Sequence, residues 1–562
     1  MRRNLLILLA TVSILMLNSC ARQSSPMGGP KDEDPPQLIS SNPENESINI
    51  KPSEIQMVFN EYIKVENPTN QIIITPRINS QQVEFTAIKN RLQIKLNQEL
   101  EDSTTYVFNF QKSVQDITEN NPASRLKLVF STGNEIDSLK FSGSISYIFP
   151  QKQITNVVVG LYPDSDTTDL FSAPPYYIAQ ADSAGRFEIT NIKSGNYRAY
   201  AWHDENNSNK AEHRSEAYGF LNDPVALETD VTDVHFDLFR GDLSELKVNR
   251  STPVGNNHDI ILSKYPVDIA IDHPETNTQL FYRVKEKIVR LYHRNPLEDS
   301  TAVKLMIRDS VGFSMDTTLY AKFEPSERSP EKLEVTANSG KGFVRNLRST
   351  LTFNKPLWEI RYDSLYIRYD TAGRIPITPE HVHLPDSSNR TQMRINIPIP
   401  DSLAYNTFTV FAADSTFMDV ENQWNETKME ANYSKLKEEA LSEELSGHVE
   451  TDELPIIVQL LDKSDEVVQE LYLTETNAYK FTQIEAAQYR LRAIIDRNKN
   501  RRWDAGNMQE ERQPEPVYYF YDAETLSDQI LLRGGWTLNE IVIKPPTPLE
   551  AVPPSEEPEN GG

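Results

Sequence analysis

Apolar residues along this chain recur at every second position. Ile55-Gln-Met-Val-Phe59 and Leu92-Gln-Ile-Lys-Leu96 alternate, and Thr105-Tyr-Val-Phe-Asn-Phe110 adds aromatic side chains. Phe281-Tyr-Arg-Val284, Val303-Lys-Leu-Met-Ile307 and Thr318-Leu-Tyr-Ala-Lys-Phe323 continue the pattern. A period of two belongs to a strand with one face buried. The unbroken run Val157-Val-Val-Gly-Leu161 reads as a strand covered on both faces. Clusters of Pro, Asn, Asp and Gly separate the runs and supply turns. The pattern predicts an all-β chain, an elongated string of β-sandwich domains with at most one short helix. That helix is expected over residues 428–443, where Ala and Glu favour helix.

The runs also repeat internally. Leu445-Ser-Gly-His-Val449 matches Phe141-Ser-Gly-Ser-Ile145, and Ile456-Ile-Val-Gln-Leu460 matches Val157 to Leu161. Ala487-Gln-Tyr489-Arg-Leu491 matches Gly195-Asn-Tyr197-Arg-Ala199, and Asp496-Arg-Asn498 matches Asp204-Glu-Asn206. A second pair of segments repeats too. Leu351-Thr-Phe-Asn354 matches Met57-Val-Phe-Asn60, Asp401-Ser-Leu-Ala-Tyr405 matches Asp102 to Tyr106, and Asp419-Val-Glu-Asn422 matches Asp116 to Asn120. Such periodicity marks duplicated units.

Two resemblances follow. Asp34-Pro-Pro-Gln-Leu-Ile-Ser-Ser-Asn-Pro43, Ile55 to Asn60, Asp102-Ser-Thr-Thr-Tyr106, Asp116-Ile-Thr-Glu-Asn120 and Val129-Phe-Ser-Thr-Gly133 together resemble the bacterial Ig-like domain of S-layer proteins. Phe141 to Ile145, Asp182-Ser-Ala-Gly-Arg-Phe187 and Gly195-Asn-Tyr197 resemble the transthyretin-like sandwich of carboxypeptidase regulatory domains. The expected order is a signal peptide at 1–19, a linker at 20–36, an Ig-like domain at 37–135 and a transthyretin-like sandwich at 139–245. An extra β domain at 246–330, a second Ig-like domain at 331–427, the helical linker at 428–443 and a second transthyretin-like sandwich at 445–546 follow. Residues 547–562, rich in Pro, Glu and Gly, are expected to be a disordered tail.

The N-terminus changes the picture from a soluble string to a tethered one. Arg2 and Arg3 precede an apolar stretch at 5–17, and Leu17-Asn-Ser-Cys20 holds the chain's one cysteine. The stretch is too short to span a bilayer, which takes about 20 residues, and it suits a secretion signal. It resembles a bacterial lipobox, which implies lipidation of Cys20 and an outer-membrane lipoprotein of the Bacteroidetes envelope type. With no thiol after Cys20, the body holds no disulfide.

Charge narrows the partners. Lys+Arg total 57 against 82 Asp+Glu, a net charge of −25, which argues against nucleic acid and against binding to anionic lipid. Two motifs invite a metal. Asp496, Asn498, Asn500 and Asp504 place oxygen side chains at the spacing of a calcium loop, with Asp204, Asn206, Ser208 and Glu212 as a weaker copy. The competing reading is a turn in which Asn and Asp cap their own backbone. His381-Val-His383 sets two imidazoles two residues apart, expected on one strand face without further zinc ligands. No Gly-x-Ser-x-Gly, Walker loop or His-Glu-x-x-His is present. Pro174-Pro-Tyr-Tyr177, Pro516-Val-Tyr-Tyr-Phe-Tyr521 and Trp424 offer aromatic platforms for a sugar or a protein. The expectation is a non-catalytic scaffold or binding protein with an envelope protein or glycan partner. The alternatives are a hydrolase of glycans or peptides, and an accessory subunit of an outer-membrane export or assembly complex.

Overall fold

The structure, a computed structural model, describes residues 33–149, 154–295, 297, 299–327, 329–340 and 342–546. Cys20, the signal stretch and the C-terminal tail lie outside the described residues. The described chain is nearly all β, and its one α-helix is the four-residue Pro68–Gln71. It divides into two compact units, the first built mainly from residues up to 139 and the second from most of the rest.

In the first unit, Leu38–Asn42, Glu54–Phe59, Arg91–Leu96 and Val83–Ile88 form a four-stranded sheet in that order. Ile73–Thr75, Thr105–Asn109 and Lys127–Ser131 form a second sheet, and Ile63–Val65 pairs with Val114–Asp116. The alternation is the cause: Ile55, Met57 and Phe59 from one sheet and Tyr106, Phe108 and Phe130 from the other are at most 2% exposed. These side chains close one core between the sheets.

The second unit repeats this pairing order. Val335–Ala337, Asn346–Phe353, Gln392–Pro398 and Val382–His383 form the equivalent four-stranded sheet, and Leu357–Ile360 pairs with Phe417–Asp419. Leu365–Arg368, Thr407–Ala412 and Met429–Lys435 form the facing sheet. The last of these strands, followed by a 3-10 turn at Glu438–Ala440 and the strand Leu441–Val449, corrects the helix expected over 428–443. Ala and Glu favour helix, yet Met429, Ala431 and Tyr433 alternate with polar residues, and burying that face decides the outcome.

Residues 248–321, within the extra β domain expected at 246–330, also form a sandwich. Val248–Val254, Asn257–Leu262, Ile288–His293 and Leu280–Lys285 lie in one sheet, facing Asp268–Asp272, Thr301–Arg308 and Ser314–Ala321 in another. Lettered A to G in chain order, these strands give sheets ABED and CFG, the arrangement of an immunoglobulin constant-type domain.

The two remaining segments share a topology. Leu139–Tyr147 lies between Arg186–Ile192 and a parallel partner, Val231–Leu238; Leu441–Val449 lies between Ala478–Glu485 and a parallel partner, Thr537–Ile543. Both parallel pairings are bulged, between Phe141 and Gly143 and between Leu445 and Gly447. A Cβ on Gly143 would lie 1.9 Å from the Val234 carbonyl oxygen, and one on Gly447 1.7 Å from that of Ile541. Only glycine fits where the backbones approach so closely. The facing sheets correspond as well: Gly195–His203 carries Tyr218–Phe220 and Val225–Leu227, as Gln488–Ile495 carries Val517–Tyr519 and Ile530–Leu531.

Candidate functional site: a cleft between the repeated sandwiches

The second repeated sandwich packs against the first through one long loop, residues 496–516. Trp503 meets Phe149 edge to face at 4.7 Å. Gln513 Nε2 donates to the Phe220 carbonyl at 2.9 Å and to Asn222 Oδ1 at 2.8 Å. The same loop grips the constant-type sandwich: Arg502 makes a bidentate ion pair with Asp268 at 2.6 and 2.5 Å, and Arg512 donates to the Val311 carbonyl at 2.5 Å.

This docking leaves a cleft of about 1300 Å³. Tyr518, Tyr519, Phe520 and Tyr521 line one side, flanked by Pro514 and Pro516; Tyr147, Ser146, His235 and Asp237 line the other. Tyr518 and Phe520 also pack on the core of the second sandwich, and Tyr519 engages Arg492, so Tyr521 is the freest ring of the run. Tyr521 is 58% exposed. Arg497 reaches the cleft with its guanidinium fixed by Glu453 at 2.8 and 2.9 Å, and that partner raises its already high pKa.

The polar floor follows from strand alternation. Phe141, Ile145, Phe236 and Leu238 turn into the core, so Ser144, Ser146, His235 and Asp237 share the other face, with Ser144 opposite His235 and Ser146 opposite Asp237. His235 Nδ1 lies 2.8 Å from Ser144 Oγ, and Nε2 lies 3.0 Å from Ser146 Oγ. Ser146 donates to Asp237 Oδ1 at 2.9 Å, and the same oxygen is 3.3 Å from His235 Nε2. Burial alone would raise the Asp237 carboxyl; His235 and Ser146 outweigh it and hold the group below its ordinary value.

These residue types are those of a nucleophilic triad, and their arrangement is not. A triad needs the acid on the imidazole nitrogen remote from the serine. Ser146 and Asp237 share Nε2. Ser144, on Nδ1, has the right order but is only 3% exposed, out of a substrate's reach.

The aspartate–asparagine loop beside the cleft closes on itself. Asp496 Oδ1 accepts the Asn500 N–H at 3.0 Å and Oδ2 that of Arg501 at 2.8 Å. Asn498 and Asn500 turn their amide nitrogens toward Asp504 Oδ2, the first at 2.8 Å. Glu515 completes the loop by accepting the N–H groups of Asn498 at 3.3 Å and Asp504 at 3.0 Å. Burial raises the Glu515 carboxyl; those donors reduce the effect, and repulsion from Asp504 and Asp496 adds to it. In the first copy Asp204 accepts from Ser208 and Asn209, both at 2.9 Å, and Glu216 plays the part of Glu515. Sequence reasoning missed both glutamates, because they follow the loop at different spacings. It missed the Ser–His–Asp face because strands 90 residues apart build it; period two alone would have paired His235 with Asp237.

The other expected sites scatter. His381 ends a 3-10 turn, where its Nδ1 lies 2.8 Å from Thr378 Oγ1, and the exposed His383 follows in the strand Val382–His383. The two do not share one strand face. Among the described residues no group of three or more His, Cys, Asp and Glu is placed to hold a metal ion. Trp424 is covered by the Arg361 guanidinium at 3.7 Å, and Tyr177 is buried. Among the described residues no helix is long and apolar enough to cross a membrane.

Comparison with known proteins bears on two segments. Residues 32–132 match the family model of a bacterial Ig-like domain, and residues 155–212 match that of domain II of polysaccharide lyase family 4. No curated protein matches. Among solved structures, the S-layer protein rSbsC is similar at 11% identity and a TM-score of 0.16, over 88% of this chain and 66% of that one. The major pilin subunit BcpA of Bacillus cereus is similar at 10% identity and a TM-score of 0.13, over 73% of this chain and 100% of that one. A Bacteroides ovatus mixed-linkage glucan utilization protein, SGBP-B, solved in complex with a mixed-linkage heptasaccharide, is similar at 11% identity and a TM-score of 0.15, over 68% of this chain and 94% of that one. Scores this low carry nothing about the arrangement of the whole chain. The two segment matches establish Ig-like β-sandwich character for the first unit and a fibronectin-like sandwich in the first repeated segment.

Proposed function

We propose that this is a non-catalytic binding protein of the cell envelope, lipid-anchored through Cys20, that holds an oligosaccharide in the cleft between its repeated sandwiches. The observation that carries the reading is the run Tyr518 to Tyr521 along one wall, facing the polar set Ser146, His235 and Asp237. Aromatic faces cover the apolar side of a sugar ring, and a few fixed polar groups orient its hydroxyls. A net charge of −25 favours a neutral or basic glycan over an acidic one. The match of residues 155–212 to a domain of a polysaccharide lyase family agrees with a carbohydrate context. The hydrolase alternative loses ground because the Ser–His–Asp face lacks a reachable triad.

Calorimetric titration of the purified chain with a panel of neutral oligosaccharides tests this. One member should bind, and Tyr521→Ala should weaken it about tenfold, roughly 1.4 kcal/mol, within the range of a single aromatic contact. No binding across the panel, or unchanged affinity in Tyr521→Ala, rejects the reading. The anchor is tested separately: Cys20→Ala should leave the precursor unprocessed.

A further inference from the structure

Lys355 and Asp419 are each 0% exposed. The Lys355 amine contacts Asp419 Oδ2 and lies 3.2 Å from Glu421 Oε2. Asp419 Oδ1 is held by the N–H groups of Glu421 at 2.8 Å and Gln423 at 2.9 Å, so Oδ2 is the oxygen presented to the amine. Glu421 is fixed in turn by Asn257 Nδ2, which donates to its other oxygen at 2.9 Å. Two residues before Lys355 and Asp419 along the chain, the Phe353 and Phe417 rings pack edge to face 5.1 Å apart, and Val420, between the two carboxylates in sequence, is buried with Phe281 and Tyr292.

Two comparisons within the chain single this trio out. The first unit has the same capping loop, with Glu61 where the second has Lys355. There Asp116 accepts four backbone N–H groups, from Thr118 at 2.9 Å, Glu119 at 2.6 Å, Asn120 at 3.0 Å and Asn121 at 3.1 Å. Capping the loop therefore needs no lysine. The other buried Lys–Asp pair, Lys264 with Asp309, has different company. Lys264 donates to the Asp242 carbonyl at 2.9 Å and lies 4.7 Å from the Phe313 ring centre. No second carboxylate pairs with it among the described residues.

We propose that Lys355 and Asp419 are joined by an intramolecular amide bond, formed with loss of water and with Glu421 relaying the proton. In a dry site an ion pair loses its hydration, and the neutral amine and carboxylic acid become competitive with it. Burial raises the Asp419 carboxyl in that direction, against the pull of Lys355 and the backbone donors. The ammonium passes one proton to Asp419 Oδ2. The freed lone pair attacks Cγ. Glu421 takes a second proton from the nitrogen and returns it to Oδ2, which leaves as water as its bond to Cγ breaks. One C–N bond forms, one C–O bond breaks, no electrons are transferred to or from the site, and Glu421 ends as it began. Holding nucleophile and acid together supplies effective concentrations that reach about 10⁵ M or more in well-oriented systems. The bond would cross-link the second Ig-like sandwich in a chain that has no disulfide.

Tandem mass spectrometry of a tryptic digest of the full purified chain reads the bond directly. The expected product is one branched species carrying Lys355 and Asp419, with the summed mass of the two peptides less one water. Lys355→Arg should yield only linear peptides. Asp419→Asn should yield the branched species formed by loss of ammonia in place of water, which fixes the site of attachment. Glu421→Gln should slow the reaction about a hundredfold, the contribution of a positioned acid–base group, leaving linear peptides dominant in freshly made protein. Linear peptides alone from folded, unsubstituted protein overturn the proposal.

Discussion

Single carboxylates set the loops of this molecule, and their surroundings give them opposite signs. Asp116 is buried, which alone would raise its carboxyl, yet four backbone N–H donors hold it below the ordinary 3.8. A depressed carboxyl stabilises the fold fully above its unfolded value, and that stability is lost as pH falls through the folded one. Urea titrations of the chain should therefore show the first unit weakening below about pH 4. Asp116→Ala should cost about 2–4 kcal/mol at pH 7 by leaving several N–H groups unmet, and it should remove this part of the acid sensitivity. Glu515 carries the reverse sign. Its raised carboxyl costs stability at neutral pH, and the cost is relieved as pH falls toward the folded value, above 4.5. The repeated Asp–Asn motifs were legible in the sequence. The backbone caps they form were only half legible, because oxygen spacing fits an ion and a backbone turn equally well.

At the scale of elements, alternation told nearly everything. It marked strands in both Ig-like sandwiches and in the one with no template, while the unbroken runs Val157 to Leu161 and Ile456 to Leu460 marked the repeated pair, and it would have placed Met429–Lys435 as a strand had period outweighed propensity. The bulged parallel pairing is different, because it depends on one atom that is missing. Gly143→Ala or Gly447→Ala would drive a Cβ into the neighbouring carbonyl oxygen at 1.9 or 1.7 Å, so the strands must part. Each should cost about 3 kcal/mol in thermal or urea unfolding, at the upper end of overpacking costs. Gly255→Ala is the control. Gly255 has φ +62 with nothing within 4 Å of its added Cβ, so only the left-handed backbone penalty of about 1 kcal/mol applies. The repeat Phe141-Ser-Gly against Leu445-Ser-Gly marked these glycines in the sequence. The parallel partner that makes them obligatory lies about 90 residues further on and carried no comparable signal.

For the second unit as a whole, the question is what keeps the last sandwich docked so that the cleft exists. Nothing in the sequence joins Trp503 to Phe149 or Gln513 to Phe220, which are separated by 354 and 293 residues and share no pattern. The geometry ranks the contacts. Arg502 and Asp268 form the best-aligned ion pair, but their side chains are 26% and 52% exposed, and pairs of that kind contribute about 1 kcal/mol or less. Arg512 does more: it donates to the Ala505 carbonyl at 2.8 Å within its own loop and to the Val311 carbonyl of the neighbouring sandwich. Losing it removes charge-assisted hydrogen bonds of about 1.5–3 kcal/mol and leaves the Val311 carbonyl only the longer Asn507 Nδ2 donor at 3.5 Å. Asp268→Ala should leave the oligosaccharide affinity within about twofold. Arg512→Ala with Gln513→Ala should free the loop and lower that affinity at least tenfold, while Tyr521 itself is intact. Calorimetry should then show the last sandwich unfolding in its own transition, ahead of the rest. A double variant that still melts as one unit and binds normally would mean that the remaining contacts, Trp503 against Phe149 and Arg492 over the same ring at 5.5 Å, hold the two sandwiches together.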